Sequence, residues 1–525
     1  MQLRESGSPV PVPGEEAAPK AKPRDWLGLA VIALPCLLYS MDLTVLNLAV
    51  PALSADLRPS GTQLLWIIDI YGFFVAGSLI TMGTLGDRIG RRRLLLIGAA
   101  AFGVGSILAA FSTSAAMLIA TRALLGLAGA TLAPSTLSLI RNMFHHPAQR
   151  TLAIGVWISS YSAGAAIGPL IGGVLLEHFW WGSVFLIGVP VMVLLLVLGP
   201  LLLPEFRDPG AGRLDLLSAG LSLIAVLSMI YGLKGIAVSG RPWPSVVFVL
   251  VGSGLAFVFV RRQAALADPL IDLRLFRSPS FTAAVVTYSL ATFVGFGIYI
   301  FIAQYLQLVL GLSPLQSGLW TAPFALAFIL GSLVTPAIVR RTQPAMVMTA
   351  GLAMAAVGFA LLTQVGTTSG LPVLVTGLIV YSLGLAPVFT LSNDVILGIA
   401  PPARAGAAAA LSETGSELGG ALGIAVLGSI GAAFYRSRVM DRASPAIPGE
   451  AIVAARDTLG AALAVGEKLS GRLGMELIAV AREAFTSSLR LTALVSAAFV
   501  LTLAIATARY LRPEAGTAGQ SASPR

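Results

Sequence analysis

The chain has 525 residues, of which 56% are hydrophobic and only 11% charged, with 34 Lys+Arg against 24 Asp+Glu and a single cysteine. A soluble domain carries about 25% charge, so this composition excludes an ordinary cytosolic protein and a disordered chain. Cys36 has no intramolecular partner, which excludes a disulfide scaffold and leaves an all-α polytopic membrane protein.

A bilayer core of about 30 Å calls for roughly 20 apolar residues per helix. Fourteen such spans are predicted, near 26–48, 63–83, 94–111, 117–140, 151–177, 182–203, 214–236, 243–260, 281–310, 316–339, 345–366, 371–399, 406–434 and 489–510. The runs are too long and too continuous for membrane β-strands. Residues 1–25 and 512–525 are polar and are expected to be disordered cytoplasmic tails. The first tail holds no apolar core for a cleavable leader, so span 1 is expected to start insertion. Segment 435–488 is the one long loop on the expected outer side. It reads as a hairpin of two short amphipathic helices, near 450–465 and 468–484.

Orientation follows from the short loops. One alternate set holds fifteen arginines, including Arg88, Arg91, Arg141, Arg150 and Arg404; the opposite set holds Arg58, Lys234 and Arg241. The first set is therefore expected on the cytoplasmic side, together with both termini. This placement directs the +10 net charge toward anionic lipid headgroups and not toward nucleic acid.

An internal repeat is visible. Gly164, Gly168 and Gly172 recur at four-residue spacing in span 5, as do Gly415, Gly419 and Gly423 in span 13. The loop after span 2, Gly83 through Arg93, has a worn copy after span 10 in Gly331-Ser-Leu333 and Arg340-Arg341. Both echoes fit two six-helix bundles, 26–203 and 263–511, the second including the external hairpin, with two inserted helices over 204–262. Halves of this kind rock about a central site in transporters.

An ionised side chain at mid-bilayer costs about 2.5–3.5 kcal/mol on insertion scales, so intramembrane charges are candidates for function. Asp42 in span 1 and Asp69 in span 2 both fall about 6 Å outward of the midplane, and Arg122 in span 4 lies at a similar depth as a counter-ion. One arginine cannot neutralise two carboxylates, and the surplus suits a cation or a proton. Glu413 and Glu417 share a face of span 13 and cannot both ionise cheaply. Asp394 and Asn393, near the inner end of span 12, are further candidates. Trp66, Tyr71, Trp157, Tyr161, Tyr299 and Trp320 are aromatic candidates for holding a flat organic cation, with Trp66 preferred because it shares a face with Asp69. His145, His146 and His178 all fall in loops, so carboxylates would carry any proton. No metal-ligand spacing, phosphate-binding loop or nucleophilic triad is present. The sequence thus supports neither a metal site, a cofactor nor an enzyme.

These residues resemble the major facilitator superfamily, and within it the fourteen-span drug/proton antiporters of the QacA type, in their LfrA/SmvA-like branch. The resemblance runs from about 26 to 510. It rests on Met41-Asp42-Leu-Thr44 through Pro51, on the Gly83–Arg92 loop, on Arg122-x3-Gly126, and on Gly164-x3-Gly168-Pro169-x2-Gly172-Gly173. It rests also on Ser392-Asn393-Asp394 and Ser412-Glu413 through Gly419. In the loop motif (Gly83, Asp87, Arg88, Gly90, Arg91), Asp87 is placed to receive Arg91 and a neighbouring helix N-terminus, forming a conformational gate. The glycines of the span-5 motif permit close helix approach and Pro169 permits bending.

The resemblance implies a monomeric pump in the bacterial cytoplasmic membrane, driven by the proton gradient without a cofactor. Its expected cargo is lipophilic cations such as quaternary ammoniums, dyes and biguanides. It implies proton- and cation-linked roles for Asp42, Asp69, Glu413 and Glu417, coupled by Arg122. Some relatives have a further acid in span 10; 316–339 contains none. Two alternatives stay open: a dedicated exporter of one natural product or lipid, and a non-transporting membrane receptor or scaffold.

Overall fold

A computed structural model of the chain describes residues 19–510 apart from 60, 208–214, 239–241, 267–268, 313, 369, 402–403, 457 and 470. The two expected tails lie largely outside the described residues. Among the described residues the chain is helical, with no strand. The helices are α1 (Pro23–Leu57), α2 (Gly61–Ile89), α3 (Arg91–Ala110), α4 (Ala115–Gly129), α5 (Leu132–Met143), α6 (Pro147–His178), α7 (Ser183–Leu186), α8 (Gly188–Leu202) and α9 (Leu216–Val238). They continue with α10 (Pro242–Ala265), α11 (Pro279–Gln304), α12 (Pro314–Val339), α13 (Pro344–Leu362), α14 (Leu371–Ile399), α15 (Ala405–Arg442), α16 (Gly449–Ala455), α17 (Leu459–Lys468) and α18 (Arg472–Tyr510).

Thirteen segments among the described residues are long and apolar enough to cross a membrane. They coincide with the expected spans other than span 2, whose place is taken by the 29-residue helix α2.

Three departures from the sequence reading have local causes. Span 4 is two helices, α4 and α5, because Pro134 cannot donate to the carbonyl of Ala130. Span 6 is likewise split into α7 and α8 ahead of Pro190. The second hairpin helix expected at 468–484 does not stand alone; it is the outer part of the 39-residue α18. Leu477, Ala481, Ala484 and Phe485 keep one face of that extension buried, at spacings of three to four residues that prolong a helix. Only α16 and α17 then remain as a small cap, tied down by the Tyr435 hydroxyl donating to the Ala455 carbonyl at 2.9 Å.

Two large cores form. One gathers residues of α1–α8, including Ile32, Tyr71, Leu125 and Trp157; the other gathers α11–α18 and the cap, including Ile298, Phe359, Tyr381 and Leu489. Leu397, Ala405 and Ala409, from the second half, are buried within the first core. The halves are therefore packed together at the end that carries the arginine-rich loops. Helix α9 lies across both: Val226 and Ile230 pack with Phe73 and Ala76 of α2 and with Ala421 and Ala425 of α15.

The glycine echoes perform the same task twice. A Cβ on Gly164 would strike the backbone carbonyl of Leu37 in α1, and one on Gly423 would strike the carbonyl of Phe293 in α11. In each half the fifth span thus crosses the first at backbone distance. Gly172 continues the first strip against Val45, whereas a Cβ on Gly173 would meet nothing within 4 Å. Replacing Gly164 or Gly423 by Val is expected to lower the thermal unfolding midpoint by several degrees or prevent folding, since overpacking costs about 1–3 kcal/mol or more. Gly173→Ala is the control that leaves the midpoint unchanged in a melting assay on detergent-purified protein.

Candidate functional site

The site is built where α1, α2, α4 and α6 of the first half face α11, α14 and α15 of the second. Arg122, only 1% exposed, is fixed on three sides. Its Nη1 donates to Asp42 Oδ2 at 2.9 Å, its Nε donates to the Ile67 carbonyl at 2.8 Å, and its guanidinium lies 5.0 Å from the Tyr71 ring centroid. The pair that depth arithmetic anticipated thus forms between α1 and α4, and the Ile67 bond fixes α2 beside it. A planar fork with several donors is needed for such a set, and lysine does not supply one. Asp69 lies on α2 two residues after Ile67 in sequence, but its side chain is outside the described residues.

Tyr39 stands three residues before Asp42 on α1. Its ring meets Tyr71 and Tyr161, each at 5.7 Å between centroids. Trp157 closes the row edge-on to Tyr161 at 4.9 Å, its indole N–H donating to Thr136 Oγ1 at 2.8 Å. Facing these rings are the two glutamates of α15. Tyr39 donates to Glu417 Oε1 at 3.1 Å, and Tyr288 of α11 donates to Glu413 Oε1 at 3.0 Å. Tyr288 in turn stacks edge-on with Phe389 of α14 at 5.2 Å. The Asn393 side-chain oxygen Oδ1 accepts from the Ser412 hydroxyl at 3.1 Å, fixing α14 against α15 one residue from Glu413. A phenol is a neutral donor, so these two bonds orient the carboxylates without cancelling a charge.

The other candidates sit elsewhere. Trp66 stacks on Tyr231 of α9 at 6.1 Å and meets Phe73 edge-on; it faces the inserted helices. Tyr299 and Trp320 are 46% and 44% exposed. Pro169 has its side chain outside the described residues. Asp394 is held by the first half: Arg150 Nε donates to its Oδ1 at 2.6 Å and Thr151 Oγ1 to its Oδ2 at 2.7 Å.

At the same arginine-rich end, the loop motif assembles as its residues suggested. Gly90 turns the chain between α2 and α3 at φ 112, a region L side chains avoid. Arg91, fully buried, pairs with Asp87 and donates to the Gly83 carbonyl at 2.8 Å. The other oxygen of Asp87 accepts the backbone N–H of Ala407, in the first turn of α15, at 3.2 Å. Gly83 makes the approach possible: a Cβ there would lie 2.5 Å from Ala410 Cβ. Arg88 lines a small cleft beside this contact with Thr84, Asp272 and Arg404.

Sequence reasoning missed Tyr39 and Arg150. The first was findable, since the three-residue step to Asp42 puts both on one helix face. The second joins positions 244 apart and leaves no local trace.

A sequence profile described as Major Facilitator Superfamily matches residues 32–424. The chain belongs to that superfamily. It is 44% identical to the multidrug efflux pump LfrA of Mycolicibacterium smegmatis, over 94% of this chain and 97% of the relative. It is 37% identical to the methyl viologen resistance protein SmvA of Salmonella typhimurium, over 88% and 93%. It is 35% identical to the tetracenomycin C resistance and export protein of Streptomyces glaucescens, over 77% and 76%. Among solved structures, the human organic anion transporter MFSD10 aligns with a TM-score of 0.58 at 16% identity, covering 91% of this chain and all of that one. A bacterial homologue of the lysosomal transporter Spinster, inward-facing and unoccupied, aligns at 0.56 and 19%, covering 94% and 100%. These two likenesses carry the fold. The protein is therefore a multi-pass membrane transporter of the major facilitator superfamily, and its central residues can be read as a transport site.

Proposed function

We propose that the protein is a proton-driven multidrug efflux antiporter that exports lipophilic cations, quaternary ammoniums and dyes among them, across the bacterial cytoplasmic membrane. The observation that carries this reading is the pair of α15 glutamates, each held by a neutral phenol, facing aromatic rings of both halves. Carboxylates supply charge for a cation, and ring faces supply its flat apolar contact. The names of the multidrug and methyl viologen relatives agree with such a cargo.

The arginine-rich loops and both termini lie inside the cell on this reading, so the conformation described is closed to the cytoplasm. Protons arriving from outside neutralise Glu413 or Glu417 and release the cation. After the halves rock, proton loss to the cytoplasm restores the charge and the next cation binds. Asp42 and Asp69 contribute further charge, with Arg122 setting how much of it is free. The membrane potential acts with about 2.3 kcal/mol per net charge per 100 mV. Exchange of one proton for one monovalent cation is therefore driven by ΔpH alone. The protein works as a monomer without a bound cofactor.

In proteoliposomes with an acid lumen, ethidium and a quaternary ammonium are expected to accumulate inside, and nigericin is expected to abolish the gain. The tetracenomycin relative favours one rival, a dedicated natural-product exporter; transport of neither cation would decide for it.

A further inference from the structure

Among the described residues, Tyr39 joins the two halves at the level of the site. It belongs to α1, yet its hydroxyl donates to Glu417 of α15 at 3.1 Å. On its own side its ring lies 5.7 Å from that of Tyr71. Tyr71 carries the Arg122 guanidinium over its face at 5.0 Å, and Arg122 holds Asp42 at 2.9 Å. The Tyr71 hydroxyl is buried with no hydrogen-bond partner among the described residues, so Tyr71 serves this chain of contacts through its ring.

We propose that Tyr39 is the positioning residue that ties the charge of Glu417 on one half to the Asp42–Arg122 pair on the other. The proposal rests on the carboxylate-coupled reading above and deepens it. A phenol binds an ionised carboxylate more tightly than a protonated one. A charged Glu417 therefore clasps α1, and a proton on Glu417 loosens the clasp across the plane along which the halves separate. Glu413 of α15 and Tyr71 also act electrostatically on Tyr39, Asp42, Arg122 and Glu417 act on Tyr71, and Cys36, Glu413 and Tyr39 act on Tyr161. Tyr288 of α11 donates to Glu413. Ring packing alone would be served equally by phenylalanine; the hydroxyl has its partner in Glu417.

The test is tetraphenylphosphonium binding to the detergent-purified full-length protein as a function of pH, for wild type, Tyr39→Phe, Glu417→Gln, Asp42→Asn and the Tyr39→Phe doubles, with melting curves to confirm that each folds. Losing a donor that favours the charged carboxylate is expected to move the midpoint of binding about one pH unit upward in Tyr39→Phe, or about tenfold weaker binding below it. The Tyr39→Phe/Glu417→Gln double should match Glu417→Gln alone. Tyr39→Phe and Asp42→Asn should combine non-additively. A Tyr39→Phe profile that overlays wild type while Glu417→Gln flattens, or strict additivity with Asp42→Asn, overturns the role of Tyr39 and leaves the wider reading standing. A Glu417→Gln profile that overlays wild type removes the carboxylate itself from the mechanism, and Tyr39 with it.

Discussion

Glu413→Gln is expected to abolish ΔpH-driven accumulation of ethidium in proteoliposomes while downhill exchange of the dye persists. The amide keeps the shape of the carboxyl and can still pair with Tyr288, which donates to Glu413 at 3.0 Å in the wild type. It cannot take up or release a proton. Competition of two ligands for one charge is a coupling free energy of about 1–3 kcal/mol, or 5–150-fold. The driven signal should therefore fall at least about fivefold, toward that of protein-free vesicles. Full ΔpH-driven accumulation in both Glu413→Gln and Glu417→Gln would place proton coupling elsewhere in the molecule.

A second large effect is expected at the arginine-rich end. There, a carboxylate from each half grips the first turns of the fifth span of the other: Asp87 takes the N–H of Ala407 on α15, and Asp394 takes Arg150 and Thr151 on α6. Helix N-termini attract negative charge, so both grips are reinforced by the peptide dipoles. A hydrogen bond to a charged group contributes about 1.5–3 kcal/mol, which corresponds to a ten- to 150-fold change in the population of the closed end. Asp394→Asn combined with Asp87→Asn should widen the separation of spin labels placed at the arginine-rich ends of α6 and α14. The charge swap Asp394→Arg with Arg150→Asp should bring it back part of the way. Cys36 is the sole cysteine of the chain and is buried, so a Cys36→Ser background suits the labelling. Unchanged distances in the double neutralisation would show that apolar packing around Leu397, Ala405 and Ala409 holds this end by itself.

The spans were legible because a bilayer imposes one length and one polarity on every crossing, and depth placed Arg122 level with Asp42 and Asp69 without choosing between the two carboxylates. The glycine strips were legible for a related reason: a backbone crossing tolerates no side chain, so the same spacing reappears in α6 and α15. What escaped was lateral direction. Apolar surroundings surround a membrane helix on most sides, so the pattern around Trp66 could not tell a face toward the other half from one toward α9. The Asp394–Arg150 contact escaped because both residues are ordinary loop-proximal charges until the halves come together. The extension of α18 escaped because its outer turns are amphipathic and read as a separate surface helix.

Helix α9 touches α2 of one half and α15 of the other, and its neighbours there include Ala76, Ala421 and Ala425. Any rigid-body swing must therefore slide α9 along at least one of them. On the α2 side Phe73 fills the contact, whereas the buried α15 residues there, Ala421 and Ala425, offer little to interlock, so the α15 contact is the bearing surface. The inserted pair can shield one flank of the moving joint from the surrounding hydrocarbon while adding little friction to its stroke.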